Sequence, residues 1–199
     1  MGFDMETLKS SVMVPGNNKG IDMCLFGLPG SGKSTLAKFL EQYLISNYPD
    51  TTVAFVSVGD IARSLSEETR KTGAYAPEDE LRVAVAEVVK MYHDSGWRVC
   101  LEGIPRSFSQ MVFVHSILTD PMYVHLTTPG ITCIDRLLKR GRQDDTVDGI
   151  VSRIEITQAL TEQIVKYLAW SPRYKQLDGT LRFDNLIAHD LVWSLGWRD

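Results

Sequence analysis

The sequence predicts an α/β protein: a doubly wound parallel sheet of five strands with helices on both faces. Short apolar runs bounded by turn residues alternate with segments of helical period, and a glycine-rich turn follows the first run. Strand, helix and parallel strand in alternation require right-handed crossovers, which cover both faces of the sheet.

The expected strands are "IDMCLFG" from Ile21, "VAFVSVG" from Val53, "RVCLEG" from Arg98, "MYVHL" from Met122 and "LRFDN" from Leu181. Each is short and apolar at nearly every position, as a strand buried on both faces should be. Between the first two, Leu36, Leu40, Tyr43 and Leu44 form a helical stripe. "PEDELRVAVAEVVKMYHDSG" opens on Pro77, carries acids in its first turn and closes on Gly96, all helix-boundary signals. Two further helices follow, with Ile131, Ile134 and Leu138 as the inward stripe of one. Ile150, Ile154, Leu160, Ile164 and Leu168 form that of the other. Residues 1–20 read as an N-terminal tail and 21–199 as a single domain.

Composition limits the partners. With 199 residues, 44% of them hydrophobic, the chain can bury one core, and its net charge of −4 argues against nucleic acid or an anionic membrane. Any anion must be bound by charge focused in a cleft. Cys24, Cys100 and Cys133 show no disulfide or zinc spacing, and no stretch reads as a signal peptide or membrane span, so a cytoplasmic protein with reduced thiols is expected.

The first strand leads into "GLPGSGKST", in which Gly27, Gly32, Lys33 and Ser34 fit the spacing G-x-x-x-x-G-K-[ST]. Glycines let the backbone wrap closely round a phosphate with its N–H groups turned inward. Gly30, Ser31, Gly32 and Thr35 complete this loop and the positive end of the following helix, Lys33 reaches the outer phosphates, and the Ser34 hydroxyl can ligate Mg2+. Guanine-reading N-K-x-D is missing downstream, and a ring-forming ATPase would need a longer chain with a second helical subdomain. A small-molecule kinase or a nucleotide-binding module without chemistry remains.

Three further stretches, in this order, resemble the nucleoside monophosphate kinase family, and adenylate kinase most closely. "SVGDIAR" resembles its S-T-G-D-h-h-R, where h is apolar; "LEGIPRSFSQ" its D-G-[FY]-P-R-x-x-x-Q; and "RLLKRGRQDD" with Arg153 its lid. The resemblance implies transfer of the γ-phosphoryl group of Mg-ATP to a nucleoside monophosphate by a monomer. Transfer between two polyanions is chiefly positioning and charge neutralisation, which suits arginine.

It implies that Arg63 and Arg106 hold the acceptor phosphate, with Arg106 also near the transferred group. Val58 and Gly103 lie in the acceptor site, and Gln110 reads the acceptor base, which favours AMP over another NMP or dNMP. Arg136 would stack on the donor base, while Arg140, Arg142 and Arg153 meet the phosphates beside Lys33. Residues 58–77 would form the acceptor-binding arm and 140–146 a short lid. Asp144 and Asp145 would cap the next helix and act at the lid's hinge.

The chain departs from the family in four places. Its lid is shorter and lacks zinc-binding cysteines, so no zinc is expected, and its arm is shorter too. Val58 replaces a Thr that contacts adenine. Glu102 replaces the Asp that holds Mg2+ through water. The shortened arm and Glu102 motivate the alternative of a catalytically weak, regulatory nucleotide-binding module.

Overall fold

A computed structural model describes residues 20–65, 76–141 and 146–197. Its five strands are β1 (Met23–Phe26), β2 (Val53–Ser57), β3 (Arg98–Glu102), β4 (Met122–Thr127) and β5 (Tyr174–Asp178). They form one parallel sheet in the order β2-β3-β1-β4-β5. Among the described residues the helices are α1 (Lys33–Asn47), α2 (Val58–Leu65), α3 (Glu78–Asp94), α4 (Phe108–Ile117), α5 (Gly130–Arg140), α6 (Val147–Leu168) and α7 (Asn185–Leu195).

Strand alternation sorts β1 between two cores. Met23 and Leu25 join Leu36, Leu40 and Leu44 of α1 and Leu191 of α7. Cys24 and Phe26 face Val85 and Val88 of α3, Met111 of α4 and Ile164 of α6 on the other side. The chain therefore leaves β1 towards one face, through α1, and β3 towards the other, through α4. Loops that depart in opposite directions from adjacent strands open a crevice at their carboxyl ends, and the site lies there. Leu101, in β3, is fully buried; Leu101→Ala should lower unfolding free energy by about 2–5 kcal/mol, read from the denaturant midpoint.

Helix caps follow local chemistry. Ser107 Oγ accepts from Gln110 N–H at the start of α4, and Asp184 Oδ1 from Leu186 and Ile187 N–H at the start of α7. Pro77 precedes α3, whose first turn is Glu78, Asp79 and Glu80. Gly141, at φ 64°, terminates α5.

Three sequence expectations are corrected. The last strand is "YKQLD", not the run from Leu181, because β5 is an edge strand that pairs only with β4 and is covered too little to need an apolar run. Leu181 is 58% exposed. In α5 the buried residues are Cys133 and Leu137, packed on Leu28, Ile150 and Ile154, whereas Ile131 is 74% exposed. Both sets have helical spacing, and only the partner surface selects between them. The cap of α6 is Thr146, whose Oγ1 accepts from Gly149 N–H, rather than Asp144 or Asp145; the helix starts at Val147, so its cap falls one residue later than that pair.

Candidate active site

Beyond Phe26 the backbone turns through positive φ at Gly27, Gly30 and Gly32, the last of these immediately before α1. Gly30 is required twice over. Its φ is 81°, and a Cβ there would lie 2.7 Å from the carbonyl oxygen of Cys133 in α5. Lys33 Nζ crosses the loop, donating to the carbonyls of Gly27 at 3.1 Å and Leu28 at 2.7 Å. Burial, and next the nearby Arg106 guanidinium, push the Lys33 amine down to about 8, with Glu102 acting in the opposite direction.

An anion bound beside this amine favours its charged form, so the bound pKa must exceed the free one. Near pH 8–9, where free Lys33 is partly neutral, polyphosphate binding should take up protons. The uptake should fade below pH 7, where Lys33 is already charged. Titration calorimetry in buffers of different ionisation heat measures it, and Lys33→Met should abolish it.

Opposite the loop, at the end of β3, Glu102 Oε1 accepts a 2.6 Å hydrogen bond from Ser34 Oγ. A hydroxyl and a carboxylate that meet at a strand end form a hard-oxygen donor pair suited to Mg2+, which takes few protein ligands and keeps several waters. The longer Glu side chain spans the gap to Ser34 directly. Among the described residues no group of three or more His, Cys, Asp or Glu side chains is arranged to hold a metal.

Cations surround the same space. A Cβ at Gly59 would lie 3.5 Å from Arg63 Nη1 and 3.8 Å from Arg106 Nη2, so two guanidinium groups converge on the first turn of α2. Arg63 pairs with Asp60, and Arg106 Nε donates to Gly103 O at 2.9 Å. On the other side, Arg136 Nη1 lies 3.4 Å from Gly30 O, 3.2 Å from Ser31 O and 2.9 Å from Gly179 O, bridging the glycine-rich loop to the loop after β5. Arg153 Nε donates to Gly149 O at 3.2 Å.

All these elements line one cavity of about 1100 Å³. Its walls include Gly30, Gly32, Lys33, Ser34, Thr35, Val58, Arg63, Glu102, Gly103, Arg106, Gln110, Arg136, Arg140 and Arg153. Ser31 is fully buried behind it. Val58 opens α2 and is only 3% exposed. Arg142, Asp144 and Asp145, with most of the lid (142–145) and of the arm (66–75), lie outside the described residues.

The cavity also holds Asp60, Glu78, Arg182 and Phe183, which the sequence reading did not assign to the site. Arg182 and Phe183 lie in the stretch from Leu181, whose strand-like alternation masks them. Glu78 reads as one of three acids favouring a helix N-terminus, and nothing in that pattern separates it from Asp79 and Glu80.

A phosphate loop and a cluster of arginines around one cavity, at the carboxyl ends of a parallel sheet, define a P-loop nucleotide kinase fold. The AAA domain family matches residues 23–159. An adenylate kinase of Prochlorococcus marinus (strain AS9601) is 30% identical over 159 residues, covering 73% of this chain and 82% of its own. Adenylate kinase 1 of Nostoc sp. (strain PCC 7120) is 27% identical over 190 residues, covering 87% and 98%. The chain belongs to the AAA domain family and to the adenylate kinase-like nucleoside monophosphate kinases. A crystal structure of a sugar kinase from Janibacter sp. HTCC2649 superposes with a TM-score of 0.64 at 17% identity, covering 87% of this chain and 94% of that one, a likeness of fold. Among the described residues no helix is long and apolar enough to cross a membrane.

Proposed function

We propose that the protein transfers the γ-phosphoryl group of Mg-ATP to a nucleoside monophosphate, with AMP the favoured acceptor. One observation carries this reading: Lys33 on the phosphate loop and the converging Arg63 and Arg106 on the far wall face a single cavity. Cations on both sides of one space suit two polyanions whose phosphates meet between them.

In this reading the loop from Gly30 to Thr35 cradles the donor phosphates, with its N–H groups and Lys33 as the donors. Arg136 borders the donor site, where its guanidinium can release the loop carbonyls and stack on the base. Arg63 and Arg106 fix the acceptor phosphate, and Arg106 also neutralises charge on the group in flight. Arg140, Arg142 and Arg153 close from the lid side, and closure keeps water from accepting the phosphoryl group. Ser34 and Glu102 would hold the Mg2+ of Mg-ATP, which neutralises charge on the donor phosphates. Val58, Gly103 and Gln110 bound the acceptor base. One chain supplies every side chain named, so a monomer suffices.

Val58 and the engagement of both ends of the Gln110 amide by protein groups favour testing other acceptors beside AMP. Incubating the protein with Mg-ATP and each ribo- and deoxyribonucleoside monophosphate in turn tests the reading. The highest kcat/KM is expected for AMP. A higher value for another base reassigns the acceptor, and ADP released at one rate whatever the acceptor would overturn the kinase reading in favour of hydrolysis.

A further inference from the structure

A chain of hydrogen bonds runs along the acceptor wall. Gln110 is 7% exposed, and its Oε1 accepts the backbone N–H of Arg106 at 2.9 Å while its Nε2 donates to Glu78 Oε2 at 3.1 Å. Only one orientation of the amide satisfies an N–H on one side and a carboxylate on the other, so its two ends are fixed. Glu78 is fixed in turn. Its Oε1 accepts from Arg82 Nε at 3.1 Å and Nη2 at 3.0 Å, and the Arg82 guanidinium lies 5.7 Å from the Phe113 ring centroid.

Both Glu78 and Gln110 line the cavity. After these bonds are counted, Glu78 Oε2 retains lone-pair capacity and Gln110 Nε2 retains its second N–H. An acceptor and a donor therefore stand side by side, and the acceptor is an anion that Arg82 holds in place. An exocyclic amino group next to a ring nitrogen complements that pair. A keto group in the same place would set its oxygen against the carboxylate.

We propose that Glu78 is a specificity-determining residue for the acceptor, accepting a hydrogen bond from the amino group of an aminated base, adenine above all, while Gln110 donates to the neighbouring ring nitrogen. This rests on the nucleoside monophosphate kinase reading and adds a residue to it. A hydrogen bond to a charged group contributes about 1.5–3 kcal/mol, which corresponds to roughly tenfold to a hundredfold in affinity.

The test removes each partner in turn. Acceptor kcat/KM is measured for AMP and for purine riboside 5′-monophosphate, which lacks the amino group, in the unsubstituted protein, Glu78→Ala and Glu78→Gln. The unsubstituted protein should prefer AMP by roughly tenfold or more, and Glu78→Ala by no more than about twofold. Glu78→Gln keeps an oxygen for Gln110 but loses the charge, and should fall between the two. It decides the matter alone if Glu78→Ala does not fold. Undiminished preference for AMP in the substituted proteins would overturn the role of Glu78 while leaving the kinase reading intact. If the unsubstituted protein forms no diphosphate from any monophosphate, both fall together.

Discussion

Lys33→Met should lower kcat by roughly two to three orders of magnitude while leaving the fold intact. The amine lies across the mouth of the phosphate loop, held by the carbonyls of Gly27 and Leu28. A phosphate that enters takes the place of those carbonyls, and the charge is already positioned when negative charge moves towards the acceptor. Methionine keeps a stem of similar length and removes only the cation. Circular dichroism and the thermal midpoint should therefore stay close to those of the unsubstituted protein while steady-state turnover collapses. Unchanged turnover would remove Lys33 from the site.

Arg106→Ala should lower kcat by a similar factor, roughly a hundredfold to a thousandfold. Its guanidinium is oriented by Gly103 O and converges with that of Arg63 on Gly59, where an acceptor phosphate would meet both. Arg106→Lys should recover only a fraction of the loss, since an ammonium cannot reproduce the planar fork. A second effect distinguishes this substitution from general damage. Burial is the main cause of the depressed Lys33 pKa and Arg106 the next, so removing Arg106 should raise that pKa and shrink the proton uptake on polyphosphate binding. Steady-state kinetics and calorimetry on the same preparation read the two effects.

The parts of this site that follow from a backbone requirement were legible in the sequence. The loop needs glycine at Gly30 because of its φ and the carbonyl of Cys133, and such a requirement writes itself as a fixed residue at a fixed spacing. The parallel sheet was legible for the same reason, since β1 and the middle of β3, Val99 to Leu101, are covered on both faces and must be apolar. β5 was not legible. As an edge strand it tolerates Lys175, Gln176 and Asp178, and the alternating stretch Leu181, Arg182 and Phe183 nearby imitates a strand while lining the cavity.

Features chosen by tertiary partners were equally hidden. Ile131 and Leu138 satisfy helical spacing with Ile134 as well as Cys133 and Leu137 do, and the position of α6 turns Cys133 and Leu137 fully inward and Ile134 in part, leaving Ile131 and Leu138 exposed. Gln110 was visible by its distance from Arg106, yet its engagement with Glu78 crosses 32 residues of chain and leaves no local pattern. Glu78 looks like any acid in the first turn of a helix until the fold sets it beside that amide.

A single turnover of ATP labelled at its γ-phosphorus, with Mg2+ and an excess of AMP, tests most directly whether one cavity passes a phosphoryl group between two nucleotides. Essentially all the label is expected in the β-phosphate of ADP formed from AMP, with little released as inorganic phosphate. Label recovered as inorganic phosphate at a rate indifferent to AMP would contradict it.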